Sequence, residues 1–114
     1  MTNKELLELA AKAIGAQRTR KKEGNDFFQI HHLHEGYEDD WEYWDPLTCD
    51  GDALRLAVKL GIQVLPNYKS SSGKLMTWAG IGMQTIYEPH DEDAMEATRR
   101  AIVKAAALIG KELK

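Results

Sequence analysis

Three features are scarce in this chain of 114 residues, and each scarcity excludes a class of protein. Cysteine occurs once, at Cys49, so an internal disulfide is impossible and a zinc site of several thiolates is excluded. The longest apolar stretches, 53–65 and 101–109, are interrupted by lysine or arginine, whereas a membrane-spanning helix needs about 20 nearly uninterrupted apolar residues. We therefore expect no membrane helix.

The chain also lacks, near residue 1, a basic segment followed by an apolar one, so secretion is not expected. The single cysteine suits a reducing cytoplasm. Hydrophobic residues make up 43% and charged residues 29% of the sequence, a mixture typical of one small globular domain. We expect that domain to span residues 1–114.

Basic residues are absent from one stretch of the chain. Residues 35–52 have a net charge of −8, against +2 for residues 1–34 and +3 for residues 53–114, which gives −3 overall. Four aromatic residues lie among these acids, and the whole set is Glu35, Tyr37, Glu38, Asp39, Asp40, Trp41, Glu42, Tyr43, Trp44, Asp45, Asp50 and Asp52. We call residues 35–52 the acidic segment.

Helical patterns lie at both ends of the sequence. Thr2 and Glu5 have the spacing of a capping box, which predicts a helix over about 3–14 that ends at Gly15. A long amphipathic helix is predicted over about 91–113. Its expected buried face consists of Met95, Thr98, Ile102, Ala105, Ala106, Ile109 and Leu113.

A further helix is predicted over 53–60, with Asp50 or Asp52 as its N-cap and Gly61 at its end. The expected apolar stripe of this helix consists of Leu54, Ala57 and Val58.

Strand patterns lie between the helices. The basic residues of 18–22 are interpreted as a solvated loop, residues 37–49 as a long acidic loop, and 69–73 as a hairpin loop. Strands are predicted near 27–33, 62–67, 74–79 and 83–87. The fold class is therefore α+β, a small, mainly antiparallel sheet of three to four strands packed by three helices in the order α-β-α-β-β-(β)-α.

Two runs of sequence carry a resemblance to a known group. WDPLTCDGDALRLAVKL at 44–60 and ATRRAIVKAAA at 97–107, together with the helix at 5–15, resemble small uncharacterised proteins of tailed phages and prophages with the phage alpha-beta-alpha sandwich domain. The resemblance implies a phage or prophage origin, the cytoplasm of the host cell, and three helices around a small sheet. It assigns no catalytic residue, and an acidic residue in the similar proteins at the position of Cys49 argues against a shared thiol mechanism.

Histidines supply the only candidate for a transition-metal site. On a strand, His32 and His34 would lie on one face, an arrangement that some metal sites use. A third ligand, Glu35, Glu38 or His90, would have to come from a contact in the fold. The simpler interpretation is a set of polar residues on a half-exposed strand.

Two other sites have simpler interpretations as well. Asp45, Asp50 and Asp52 could hold a hard cation, but the spacing of an EF-hand loop is absent, and aspartates at this place commonly cap a helix. The basic cluster at 18–22 is too small for a phosphate-binding stripe in an acidic chain. We expect neither a cofactor nor a nucleic-acid partner.

The acidic segment is the strongest functional feature. Carboxylates pair with lysine and arginine, and aromatic faces attract the same cations. The leading hypothesis is a non-enzymatic module that binds a host or phage protein with a basic surface. An inhibitor that mimics DNA is a variant of it, and a metal-assisted hydrolase using His32 and His34 is the enzymatic alternative. The expected partner-binding residues are Glu38, Asp39, Asp40, Trp41, Glu42 and Trp44.

Overall fold

The computed structural model describes residues 2–16, 18–21, 28–31, 41–90 and 93–113, and for 18–21, 28–31, 41 and 42 it describes the backbone. Within these residues the helices are α1 (Asn3–Ala13), α2 (Asp50–Leu60) and α3 (Ala94–Glu112). The strands are β1 (Arg18–Lys21), β2 (Phe28–His31), β3 (Trp41–Tyr43), β4 (Gln63–Lys69), β5 (Leu75–Ile81) and β6 (Gln84–Pro89). The predicted α+β class, with an antiparallel sheet packed by three helices, is confirmed.

The C-terminal sheet consists of two consecutive hairpins in the order β4-β5-β6. The predicted hairpin loop at 69–73 joins β4 to β5, and a tight turn at Gly82 and Met83 joins β5 to β6. Gly82 has a φ of 57°, which glycine adopts without the steric cost of a side chain. β4 is an edge strand, and this position suits Pro66, whose missing N–H cannot pair within a sheet.

The remaining strands form a second sheet in the order β1-β2-β3, which corrects three predictions. The strand predicted at 27–33 does not join the C-terminal sheet. The supposed loop at 18–22 contains β1, and the supposed loop at 37–49 contains β3. β1 consists of four charged or polar residues, so it lacks the alternation of apolar and polar residues that predicts a strand. Pairing with a neighbouring strand, rather than the residues' own pattern, defines this strand.

Both terminal helices begin at side-chain caps. The Thr2 hydroxyl accepts a hydrogen bond from the Glu5 backbone N–H (3.1 Å), and Gly15 has a φ of 82°, as the sequence predicts for the start and end of α1. α3 begins at Ala94, later than predicted, because the Asp93 carboxylate caps it. Asp93 Oδ1 accepts hydrogen bonds from the backbone N–H groups at positions 95 and 96 (2.9 and 3.3 Å).

α2 begins earlier than predicted and turns a different face inward. It starts at Asp50 after Cys49, which makes no side-chain cap, so the prediction that Asp50 or Asp52 is the N-cap is wrong. The predicted stripe is also wrong at two of its three positions, because Leu54 and Val58 are exposed. The buried residues of α2 are Ala53, Leu56 and Ala57. Apolar residues surround this helix, so periodicity alone does not select the buried face.

α3 is the centre of the fold and contacts both other helices and all three strands of the C-terminal sheet. Two residues of its predicted buried face, Met95 and Leu113, are exposed. The buried face is made mostly of small residues, namely Ala97, Ala101, Ile102, Val103, Ala105, Ala106, Ala107 and Gly110. A Cβ atom on Gly110 would lie 1.8 Å from the Leu9 carbonyl oxygen, so this glycine allows the backbones of α1 and α3 to touch.

A chain of hydrogen bonds holds α3 on the sheet. Thr98 Oγ1 donates to the Ala94 carbonyl (2.8 Å), and the fully buried Thr77 Oγ1 lies 2.8 Å from Thr98 Oγ1 and 2.7 Å from His90 Nε2. All these groups are satisfied when His90 donates from Nε2 to Thr77 and Thr77 donates to Thr98. The buried Thr77 hydroxyl therefore has both a donor and an acceptor as hydrogen-bond partners.

Candidate binding surface

The middle of the acidic segment is fixed in the core by an aromatic residue. Trp44 is 5% exposed and belongs to the buried cluster, and Pro46 is also fully buried. Tyr43, the residue before Trp44, is 59% exposed. Burial of the indole in the core therefore argues against the predicted role of Trp44 as a partner-binding anchor. Tyr43 is the last residue of β3, and Trp44 follows it where the chain leaves the strand and enters the core.

Asp45 organises the turn that follows. Its carboxylate accepts hydrogen bonds from the Leu47 backbone N–H (3.2 Å) and the Thr48 hydroxyl (2.8 Å), the geometry of an Asx turn. Its carbonyl accepts hydrogen bonds from the backbone N–H groups of Thr48 and Cys49, and its own N–H donates to Asp52 Oδ2 (2.9 Å). Asp45 and Asp52 thus stabilise the start of α2.

The aspartates of the first turn of α2 pair with arginines. Asp50 Oδ1 accepts a hydrogen bond from Arg99 Nη1, and Asp52 Oδ1 accepts one from Arg55 Nη2, both at 2.6 Å. Arg99 also donates from Nε to the Leu47 carbonyl (2.8 Å), so one guanidinium joins α3 to the turn before α2. Asp45, Asp50 and Asp52 therefore each make hydrogen bonds or ion pairs within the chain.

The other acids of the segment lie where side chains are not described. Glu38, Asp39 and Asp40 lie outside the described residues, whereas Trp41 and Glu42 are placed by their backbone in β3. The described chain is continuous from β3 through the Asp45 turn to α2.

An apolar groove lies beside this stretch, between α2, α3 and the edge strand β4. Its volume is about 480 Å³. Leu54 and Met95 stand on its two walls, 64% and 57% exposed, and the Asp50–Arg99 ion pair lies among its lining residues. The sequence analysis missed the groove, although the excess of apolar residues on α2 was a signal that one of its faces would remain uncovered.

The outer face of the C-terminal sheet is a second exposed apolar surface. The register aligns Leu65, Trp78 and Tyr87 in one row across the three strands. The Trp78 ring lies over Gly80, where a Cβ atom would be 2.7 Å from the indole, and the rings of Tyr68 and Tyr87 are 6.0 Å apart. α3 contacts this sheet from the opposite side, where Thr77 meets Thr98.

The candidate metal ligands are not brought together where they are described. His32 and His34 lie outside the described residues, and His90 bonds to Thr77 in the sheet. No group of three or more histidine, cysteine, aspartate or glutamate residues with the geometry of a metal site occurs in the described part of the chain. In the same part, no helix is long and apolar enough to cross a membrane.

Comparison of this chain with protein-family models, with curated proteins and with solved structures finds no match. The resemblance to phage proteins therefore stays a prediction.

Proposed function

We propose that this chain is a phage or prophage accessory protein without enzymatic activity that binds a basic protein of the host or the phage through its acidic segment. Net charge supports the proposal, because all eight charged residues of 35–52 are acidic. A surface with one sign of charge attracts a partner of the opposite sign and accelerates association.

The observation that carries the proposal is the contrast between Tyr43 and Trp44. Trp44, near the middle of the segment, is 5% exposed and packs in the core. Tyr43, the residue before it, is 59% exposed. An aromatic ring in water next to carboxylates suits a cationic partner, since lysine and arginine pair with carboxylates and stack on aromatic faces. Tyr43 accordingly takes the place of Trp44 among the proposed binding residues.

The acids of the segment divide into two groups. Asp45, Asp50 and Asp52 make contacts within the chain that stabilise the start of α2. The proposed binding residues are Glu38, Asp39, Asp40, Trp41 and Glu42, together with Tyr43. The acids attract the partner from a distance, and the aromatic residues hold it once it is bound.

The experiment begins with capture of a partner from a bacterial lysate, followed by binding kinetics with the purified partner at several salt concentrations. The test variant carries Glu38→Gln, Asp39→Asn, Asp40→Asn and Glu42→Gln. A matched variant removes four acids from α1 and α3, at Glu5, Glu8, Glu96 and Glu112. The test variant should associate more slowly and with a weaker dependence on salt than the matched variant.

Aromatic variants test the second half of the proposal. Trp41→Ala and Tyr43→Ala should weaken the complex mainly through faster dissociation. The loss of binding free energy should be about 2 kcal/mol for a residue that dominates the interface. Circular dichroism must show that both variants are folded. Equal association rates for the two acid variants would contradict the proposal, as would unchanged dissociation in a folded variant with both aromatic substitutions.

A further inference from the structure

We propose that the groove between α2, α3 and β4 binds the apolar side chains of a basic amphipathic helix in the partner. This inference rests on the proposed function and adds to it the kind of segment that the partner presents. The acidic segment attracts the basic side of that helix, and the groove takes its apolar side.

The groove is a trough between two helices. α2 contributes Asp50, Ala53, Leu54 and Ala57, which follow the i, i+3, i+4, i+7 spacing of one helix face. The corresponding residues of α3 are Ala94, Met95, Thr98, Arg99 and Ile102. The volume of about 480 Å³ is in the range of pockets that bind ligands, roughly 300–1,000 Å³.

The walls of the groove are apolar and solvent-exposed, which distinguishes them from its floor. Ala53, Ala57 and Ile102 are buried parts of the core. Leu54 and Met95 are instead large apolar side chains that remain mostly in water. Methionine is flexible and polarisable, and it adapts to the side chains of different partners. Apolar anchors inserted between these two residues would cover both of them.

The neighbouring strand favours a helical occupant over an extended one. An extended peptide would bind by adding a strand to the edge of β4. Pro66 has no N–H to donate there, Asn67 has a φ of 59°, and the register shifts between Leu65 and Tyr68. Because of these interruptions, the edge of β4 does not offer an extended peptide a continuous row of backbone hydrogen-bonding groups. A helix needs no such row, because it satisfies its own backbone hydrogen bonds.

The charges at the groove favour a basic occupant. Asp50 lies in the lining, its side chain is 57% exposed, and it belongs to the acidic segment. The basic group in the lining, Arg99, is 15% exposed and paired with Asp50 at 2.6 Å, so the carboxylate is the more accessible charge of this ion pair. A helix with leucines on one side and lysines on the other therefore complements both the groove and the segment that leads into it.

The experiment uses a short synthetic peptide of leucine and lysine whose leucines recur every three or four residues. Its affinity is measured by isothermal titration calorimetry for the parent, Leu54→Asp and Val58→Asp. Leu54 and Val58 are one turn apart on α2 and are 64% and 73% exposed, but only Leu54 is among the residues that line the groove. Each variant adds the same negative charge, so the pair separates groove binding from simple attraction.

We expect Leu54→Asp to weaken binding about tenfold, a difference of about 1.4 kcal/mol, while Val58→Asp binds at least as tightly as the parent. Charge attraction alone would strengthen binding in both variants, and that result would overturn the inference. Thermal unfolding of both variants must show that they are folded. A peptide with glutamate in place of lysine should bind more weakly, and equal affinity would contradict the basic occupant.

Two further outcomes separate this inference from the proposed function. Loss of peptide binding in the variant with Glu38, Asp39, Asp40 and Glu42 neutralised, without any effect of Leu54→Asp, would overturn the groove and leave the proposed function standing. The reverse would support the groove and contradict the role of the acidic segment. A dimer of the free chain that Leu54→Asp dissociates would make a second copy the occupant and overturn the inference.

Discussion

α3 touches the backbone of α1 at Gly110 but leaves a groove beside α2. On the α1 side, a Cβ atom at Gly110 would meet the Leu9 carbonyl oxygen at 1.8 Å, so even a methyl group would force the helices apart. On the α2 side, Leu54 and Met95 stand apart across a groove of about 480 Å³. Small residues let two helices touch, whereas large side chains without a facing partner leave a space.

The two contacts of α3 therefore have different roles. The contact with α1 stabilises the fold, and the groove beside α2 is the candidate binding surface. The closely packed contact fixes the position of α3, and with it the sheet that α3 covers. The groove lies along the N-terminal half of the same helix, next to the end of the acidic segment. Substitutions in the closely packed part should therefore reduce stability, and those at the groove should reduce binding.

The largest effect is expected at Trp44, the buried aromatic residue of the acidic segment. Trp44→Ala should lower the free energy of unfolding by about 3–5 kcal/mol, because it leaves a cavity in the core. Tyr43→Ala is the matched control on the neighbouring exposed ring and should change stability by about 0.5 kcal/mol or less. Chemical denaturation measures both, and similar losses would contradict the difference in burial.

The contact between α1 and α3 gives the next effect. Gly110→Ala should destabilise the chain by about 2–3 kcal/mol, because the new methyl group separates two backbones. Gly51→Ala makes the same change in α2, where the nearest atoms are the flexible end of Arg55 at 3.4 Å. It should instead stabilise the chain by about 0.5 kcal/mol through a better helix propensity. The same sign for both glycines would refute the close contact.

The sequence predicts the helices well because their ends carry local signals. Thr2, Gly15 and Gly61 act through their own backbone or side chain, so the limits of α1 and the end of α2 follow from nearby residues alone. The buried face of α2 does not. Its apolar residues lie on several sides, and only packing against α3 decides that Leu56 is buried and Leu54 is exposed.

The candidate site is predictable only in part for the same reason. The charge of the acidic segment can be counted, but the burial of Trp44 and the exposure of Tyr43 depend on how the chain packs on the core where it leaves β3. Likewise, Met95 follows the apolar period of α3, yet its side chain is 57% exposed. Which apolar residues remain exposed depends on the assembled fold, so it cannot be predicted from a local sequence pattern.

A smaller effect is expected where α3 meets the sheet. Thr77→Val keeps the shape of the side chain but removes the hydroxyl that joins His90 to Thr98, which should cost about 1–2 kcal/mol. Thr85→Val is the control on the exposed outer side of the same sheet, with an expected change of about 0.5 kcal/mol or less. If the two valine variants unfold at the same denaturant concentration, the buried hydrogen-bond chain does not contribute.

The smallest effect on stability is expected at the groove itself. Leu54→Ala should change the free energy of unfolding by about 0.5 kcal/mol or less, because the side chain is largely exposed and alanine favours a helix. Leu56→Ala, two residues further along α2, removes a buried side chain and should cost about 2–5 kcal/mol. Equal costs would place Leu54 in the core and close the groove.

The most direct test of the groove as a binding surface uses the methyl groups of methionine as NMR probes during titration with the basic amphipathic peptide. Met95 lies at the groove, Met76 in β5 of the C-terminal sheet, and Met83 at a fully exposed hairpin turn. We predict that the Met95 resonance shifts in proportion to the bound fraction while those of Met76 and Met83 stay in place. A shift of Met76 with Met95 unchanged would put the binding surface on the sheet and contradict the account.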